Sequence, residues 1–247
     1  MKLNLLDHGY VELIEAWGTG KDGVSWSGED RPYEKDADYE VGIIEAARQS
    51  TQGNFRGWEH DLKLLTYLYN NQHSTPFEFA GMVIEVQAPL FVFREWHRHR
   101  TQSYNEMSAR YSPLPDLNYV PTIERLLVKN EANKQAGAIK GSAELDEVGA
   151  KAFQRKLRAV YAEDERHYQS ALADGVPKEL ARVLLPVGRY SKMRASANLR
   201  NWLSFMTLRC APGAQYEIRV YADAVANIIG MRFPQTFSLW AKQAFGE

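Results

Sequence analysis

The sequence has little of three features that would each point to a particular class of protein. It has one cysteine in 247 residues, which excludes an internal disulfide and fits a reducing compartment. No apolar run approaches the ~20 residues of a membrane span, and the N-terminus lacks the apolar core of a signal peptide. With 30 basic and 31 acidic side chains the net charge is -1, so no global field recruits nucleic acid or an anionic membrane. We expect a cytoplasmic protein that binds neither.

What is present is an ordinary globular mixture, with 45% hydrophobic and 25% charged residues. Alternating patterns predict strands at residues 9–17 and 82–88. Pro89 is expected to open a helix towards Trp96, and residues 112–121 hold three prolines and are expected to form a loop. Apolar residues that recur three and four positions apart predict helices at 41–48, 58–70, 146–174, 177–185, 198–208 and 217–229.

No internal repeat or domain boundary interrupts these elements. We therefore expect one domain over residues 1–247 with an α+β fold. Its sheet is expected to be antiparallel or mixed, with helices packed on it and a helical C-terminal half. The segment 129–142 is polar and is expected to be mobile.

The most informative segment is RHRTQSYNEMSARY at residues 98–111. Its arginines offer rigid forks of donors that fit phosphate or carboxylate oxygens. If residues 106–110 run extended, Glu106, Ser108 and Arg110 share one face, because side chains alternate along a strand. Such a face would hold a nucleotide, with Ser108 and Arg110 at the phosphate. A solvated polar loop is the alternative, but the apolar run just upstream indicates that the segment leaves a rigid element.

Two other patterns suggest chemistry less strongly. Residues 18–23 spell GxGxxG, with Asp38 downstream, but the polar, proline-containing sequence between them is not the helix start that a dinucleotide fingerprint needs. Glu95, His97 and His99 contain metal-ligand atoms, yet the neighbouring arginines would repel a cation. We expect no metal site.

Two residues are candidate nucleophiles. Cys210 follows Arg209, which could lower the pKa of the thiol, although lone cysteines are usually small buried hydrophobes. Ser108 could attack with His99 as its base. We favour Ser108 as a hydrogen-bond donor to phosphate, because arginines lie close to it and no acid that would orient His99 is evident.

The spacing RHR, seven residues, Ser at 98–108 resembles the signature of the flavin-dependent thymidylate synthases. Further segments look like other parts of that family in the right order, and together they cover most of the chain. These segments are residues 3–18, 45–50, 73–100, 179–191 and 198–222.

The resemblance implies reductive methylation of deoxyuridine monophosphate (dUMP) to thymidine monophosphate (dTMP). Methylenetetrahydrofolate would donate the carbon, and NADPH would supply reducing equivalents through bound FAD. Arg209 matches the family's C-terminal arginine and would polarise the pyrimidine or stabilise its N3-deprotonated form. The family also implies a homotetramer with its sites at subunit interfaces.

The matching site positions fall into two sets. Those for FAD are Thr75, Arg98, His99, Arg100, Glu106, Asn198, Leu199, Arg200 and Ser204. Those for dUMP are Glu95, Arg98, Glu106, Met107, Ser108, Ala109, Arg110, Arg182 and Arg209, with Arg182 expected from a second subunit. His73 and Glu78 also fall in pocket-forming segments.

Three positions depart from the family pattern, and the loop at 18–38 is long for it. Phe79 stands where His is common, Glu95 where Gln is frequent, and Ser204 where Asn is frequent. A carboxylate at position 95 would alter hydrogen bonding to a pyrimidine. Two other functions stay open: a flavin-dependent methyltransferase acting on uracil in RNA, and a non-catalytic module that binds a nucleotide or RNA.

Overall fold

The computed structural model describes residues 1–19, 38–128, 138 and 141–246. In this part of the chain one antiparallel sheet has the order β1-β2-β3-β5-β4. Its strands are β1 (Lys2–Leu5), β2 (Gly9–Trp17), β3 (Gly81–Pro89), β4 (Ser103–Glu106) and β5 (Tyr190–Asn198). Most of the GxGxxG pattern, the loop at 18–38 and the segment 129–142 lie outside the described residues.

The helices of the described chain are mostly those that the periodicity predicts. They are α1 (Val41–Arg48), α2 (Trp58–Asn70), α3 (Leu90–Trp96), α4 (Ile123–Leu127), α5 (Glu147–Ala173), α6 (Lys178–Ala181), α7 (Leu199–Arg209), α8 (Tyr216–Arg232) and α9 (Pro234–Phe245). Short 3-10 turns cover Gln49–Thr51, Thr75–Phe79 and Arg182–Leu184. The α+β prediction is confirmed, whereas α4 and α9 were not predicted.

Strand β5 lies within the otherwise helical C-terminal half and was not among the predicted strands. It pairs with β3 over nine residues, from Gly81 opposite Asn198 to Pro89 opposite Tyr190. Its sequence, YSKMRASAN, is poor in the β-branched residues that usually mark a strand. The two strands approach closely where β3 begins and β5 ends. A side chain at Gly81 of β3 would not fit there, because its Cβ would lie 2.5 Å from the carbonyl oxygen of Ala197 on β5.

The expectation of an extended chain from 106 to 110 is wrong. Strand β4 ends at Glu106, and the backbone N–H of Tyr111 donates to the carbonyl of Ser108 at 3.0 Å. The Ser108 hydroxyl also accepts from the N–H of Arg110 at 3.3 Å. Serine side chains favour such local turns over a continuing strand. Ser108 and Arg110 therefore lie on a turn rather than on one strand face.

Helices α3 and α7 start from opposite ends of the β3–β5 pair. Pro89 ends β3 and precedes α3, while the Asn198 side chain caps α7 by accepting from the N–H of Asn201 at 3.0 Å. Nine strand residues span about 30 Å, whereas α3 and α7 span about 10 and about 16 Å. Running inward from the two ends, the helices meet with their carboxyl ends together.

Aromatic packing holds this meeting point in the core. The rings of Trp96 on α3 and Phe205 on α7 stack with centroids 4.7 Å apart. Trp202 is fully buried and donates to the carbonyl of Met82 on β3 at 3.2 Å. Side chains of this size each contribute about 1.5–3 kcal/mol when buried.

No helix in the described ranges is both long and apolar enough to cross a bilayer.

The start of α9 is held by a buried acid from far earlier in the chain. The Glu40 carboxylate accepts from the backbone N–H groups of Gln235 at 2.9 Å and Thr236 at 2.6 Å. Burial raises the pKa of Glu40 to about 7, although these hydrogen bonds oppose the shift. Proton binding to Glu40 is therefore linked to folding.

We predict that Glu40→Gln removes a pH dependence of stability. A raised folded-state pKa stabilises the native chain below the unfolded value of 4.5, and that stabilisation is lost as pH rises through about 7. Between about pH 5 and about pH 8, the free energy of unfolding of the unmutated protein should fall by roughly 2–3 kcal/mol more than that of Glu40→Gln. Urea unfolding at both pH values measures this. The exposed Glu15→Gln is the control, and parallel behaviour of both variants would contradict the prediction.

Candidate active site

One cleft opens where β4 ends in the Ser108 turn. It has a volume of about 280 Å³, and five of the nine predicted dUMP contacts line it. These five are Glu106, Met107, Ser108, Ala109 and Arg182. Apolar side chains that the sequence analysis missed complete the lining: Leu90, Leu114 and Leu185. We call this the turn cleft.

The short helix α6 is joined to the turn by polar contacts. Arg110 Nε lies 3.2 Å from Glu179 Oε2, and the Lys178 ammonium donates to the carbonyl of Tyr111 at 3.1 Å. Arg182 Nε donates to the carbonyl of Glu179 at 3.2 Å. Ser108 and Arg182 thus share one cleft of one chain, so a second subunit is not needed to bring them together.

Glu106 is the acidic group of the turn cleft. Burial raises the pKa of its carboxyl, while the Ser191 hydroxyl and the nearby His97 oppose the shift. The His97 ring packs against Tyr104, with centroids 4.9 Å apart. Glu106 can accept a hydrogen bond from a ligand hydroxyl or ring N–H when ionised.

Arg209 lies at the meeting point of α3 and α7. Its Nη1 donates to Glu95 Oε2 at 2.7 Å and its Nη2 to the Glu95 carbonyl at 2.9 Å. Its Nε donates to His99 Nε2 at 2.9 Å. We call these three residues the Arg209 cluster, and they are predicted site residues that the fold brings together.

His99 is neutral in this cluster. Burial, followed by the charge of Arg209, lowers its pKa to about 4. Because Nε2 accepts from Arg209, the ring proton is on Nδ1. Nε2 is thus not available to take a proton from Ser108, and His99 does not line the turn cleft. The arrangement favours Ser108 as a hydrogen-bond donor over Ser108 as a nucleophile.

A second cleft, of about 460 Å³, lies between α2, the Thr75–Phe79 turn and α7. Predicted FAD contacts Arg200 and Ser204 line it, as does His73. Arg200 Nη1 pairs with Glu78 Oε1 at 2.8 Å. The Ser204 hydroxyl donates to the carbonyl of Arg200 at 3.2 Å. We call this the α7 cleft.

The other predicted FAD positions are more scattered. Arg98 and Arg100 are exposed just after α3. Asn198 is occupied in capping α7, and Leu199 is fully buried, with its N–H donating to the carbonyl of Ala80 at 2.7 Å. The donor set along α7 fits a large anionic, partly apolar cofactor, because guanidinium and hydroxyl groups alternate there with the apolar wall of Leu203.

Cys210 is not a reactive thiolate. Burial, followed by the charge of Asp223, raises the pKa of its thiol to about 12. The adjacent Arg209 guanidinium is directed to Glu95 and His99 instead. This disfavours the cysteine-nucleophile alternative. Nor does the described chain bring three or more His, Cys, Asp or Glu side chains together as metal ligands.

Comparison with known proteins gives a consistent result. The family model described as "thymidylate synthase complementing protein" matches residues 33–235. A flavin-dependent thymidylate synthase from Thermotoga neapolitana is 32% identical over 245 residues, which cover 99% of this chain and 96% of the relative. One from Thermus thermophilus is 35% identical over 234 residues, covering 95% and 76%.

Solved structures show the same relationship. The UMP/dUMP methylase PolB from Streptomyces cacaoi, bound with 5-Br dUMP, superposes with a TM-score of 0.78 at 27% identity, covering 99% of this chain and 98% of that one. Its structure with 5-Br UMP gives 0.76 at 29% identity, covering 96% and 95%.

We predict that Cys210 is unreactive in the folded chain. A thiol with a pKa of about 12 is almost wholly protonated at neutral pH, and only the thiolate attacks electrophiles. Iodoacetamide should therefore modify the native chain on the order of 10²-fold more slowly than the urea-unfolded chain, as followed by mass spectrometry. Equal rates, or loss of turnover in Cys210→Ala, would return Cys210 to the list of candidate catalytic groups.

Proposed function

Because the chain belongs to the thymidylate synthase complementing protein family, the flavin-dependent thymidylate synthases, we propose that it methylates dUMP to dTMP. Methylenetetrahydrofolate is the carbon donor and NADPH the reductant, and the proposal takes residues 1–247 as one domain. The observation that carries the proposal is the turn cleft, where a hydroxyl, a guanidinium and a carboxylate converge on one concave surface. The solved relative of the same fold binds brominated uridine nucleotides.

The turn cleft holds the nucleotide in this proposal. The Ser108 hydroxyl and the Arg182 guanidinium bind the phosphate, because charge-assisted hydrogen bonds from arginine suit its oxygens. Met107 and Ala109 line the same surface. Glu106 accepts a hydrogen bond from the sugar or the ring. Arg110 is paired with Glu179 at the edge and adds positive charge there.

The α7 cleft binds part of the FAD. Arg200, Ser204 and His73 face it, with Thr75 on the adjoining turn and Asn198 and Leu199 at the start of α7. When bound, the flavin supplies the hydride for reduction. The chain's own task is to bind the cofactor and to exclude water from the reacting face.

Arg209 activates the pyrimidine electrostatically. The family's chemistry, as proposed for this chain, uses no cysteine thiolate, and the raised pKa of Cys210 agrees with that. A fixed guanidinium that donates to a pyrimidine carbonyl polarises that carbonyl and stabilises negative charge on its oxygen. Glu95 and His99 hold that guanidinium.

The distribution of these residues supports a shared site. Arg209, Glu95 and His99 do not line the turn cleft, so one chain alone does not enclose a nucleotide between Ser108 and Arg209. Apolar side chains on either side of the cleft residue Leu185 in the sequence are exposed, Val183 by 80% and Val187 by 63%. Such surfaces are typical of subunit contacts. The proposal is therefore a homotetramer in which one chain supplies the turn cleft and another the Arg209 cluster.

The direct test is anaerobic conversion of dUMP with methylenetetrahydrofolate and NADPH, with and without added FAD. We expect dTMP, measured by liquid chromatography, only when FAD is present. NADH in place of NADPH tests the reductant. Because the solved relative is a UMP/dUMP methylase, UMP is the matched comparison. If the chain binds flavin but forms product only from UMP or from uracil in RNA, the substrate is not dUMP. If it neither binds flavin nor forms product, the proposal is rejected.

The shared site is tested by co-expressing Arg209→Ala and Arg182→Ala chains with different affinity tags. Each variant alone should retain FAD, while Arg209→Ala loses on the order of 10²–10³-fold in kcat and Arg182→Ala raises KM on the order of 10–10²-fold. Doubly purified hybrids should regain turnover, since some sites combine intact Arg209 with intact Arg182. Hybrids no better than the two parents would place both residues in one chain's site, and loss of FAD in Arg209→Ala would remove its catalytic assignment.

A further inference from the structure

Arg209 is already held in place by its own chain. A guanidinium has five N–H donors, and three of them are used by Glu95 Oε2, the Glu95 carbonyl and His99 Nε2. The Arg209 side chain is only 16% exposed. The two remaining N–H groups, one on each terminal nitrogen, are the donors that a pyrimidine can meet.

The charge of this guanidinium is compensated at the same place. The Glu95 carboxylate lies 2.7 Å from Nη1, and His99 on the same side is neutral. On the α8 side, Asp223 faces the thiol of Cys210, the residue after Arg209. Among the charged groups described around Arg209, the one in direct contact is therefore an anion.

We propose that Glu95 sets the charge that Arg209 presents, so that the site takes the pyrimidine in its neutral N3–H form. Glu95 acts on the substrate through Arg209 and is a positioning residue. This inference rests on the proposed function and decides between two modes of activation. Arg209 polarises a ring carbonyl through its free N–H groups and does not hold an N3 anion.

The physical reason is that a cation favours an anion beside it, whereas a neutral ion pair does not. An uncompensated Arg209 would lower the pKa of N3 in the bound pyrimidine. With Glu95 ionised, that effect is cancelled at short range.

The experiment is a fluorine NMR titration of 5-fluoro-dUMP bound to the FAD-loaded enzyme, without folate or NADPH. The fluorine shift reports ionisation of N3, and fluorine acidifies N3 enough to bring it into an accessible range. In the native enzyme we expect the N3 pKa of the bound nucleotide to equal or exceed that of the free nucleotide. In Glu95→Gln it should fall by about one unit or more below the native value.

Two further variants separate charge from fold. Glu95→Asp keeps the carboxylate and should titrate like the native enzyme. Glu147→Gln removes an exposed charge that pairs with Lys151 on α5 and should also leave the N3 pKa unchanged. FAD content confirms that each variant is folded.

An N3 pKa below that of the free nucleotide in the native enzyme, or equal values in the native enzyme and Glu95→Gln, would overturn the role of Glu95 while leaving nucleotide binding intact. Failure of the FAD-loaded native enzyme to bind 5-fluoro-dUMP at all would instead overturn the proposed function, and this inference with it.

Discussion

The antiparallel pairing of β3 with β5 is the constraint on which the rest of the structure depends. It joins residues more than 100 positions apart along its nine-residue register, so the two halves of the chain form one core. Each strand is followed directly by a helix: α3 begins after Pro89 of β3, and α7 begins after Asn198 of β5. Because the strands run in opposite directions, the two helices start at opposite ends and converge. Without that register, the Arg209 side chain would not reach Glu95.

The convergence of two helix carboxyl ends creates an electrostatic requirement. Helix C-termini carry partial negative charge, and a cation in the last turn of α7 satisfies it. Arg209 does so while donating to a carbonyl in the last turn of α3. The stacked rings of Trp96 and Phe205 join the same two helices, while the Glu95 side chain stays 41% exposed. Fold and site therefore use the same residues at this point.

Local patterns predicted local structure well, and contacts between distant segments poorly. The predicted bounds of β2, α1 and α2 match the structure, and in α2 the buried Asp61, Leu65 and Leu68 share one helix face. Strand β5 was missed because its sequence, YSKMRASAN, is poor in the β-branched residues that mark a strand. In the site, proximity along the chain placed Glu106 and Ser108 together. The bond between Arg209 and Glu95 spans 114 residues, and no spacing within either segment predicts it.

An arginine with only 16% of its side chain exposed would be costly to bury without partners. Glu95 and His99 remove that cost before any ligand arrives, and they leave two N–H groups unused. A substrate that meets those two groups finds a guanidinium whose orientation is already fixed, so binding requires no rearrangement of the charge. Electrostatic catalysis is most effective when the dipoles are set in advance. In the proposed function, the same ion pair limits how much positive charge Arg209 offers, so that the residue at position 95 sets the protonation state of the bound ring.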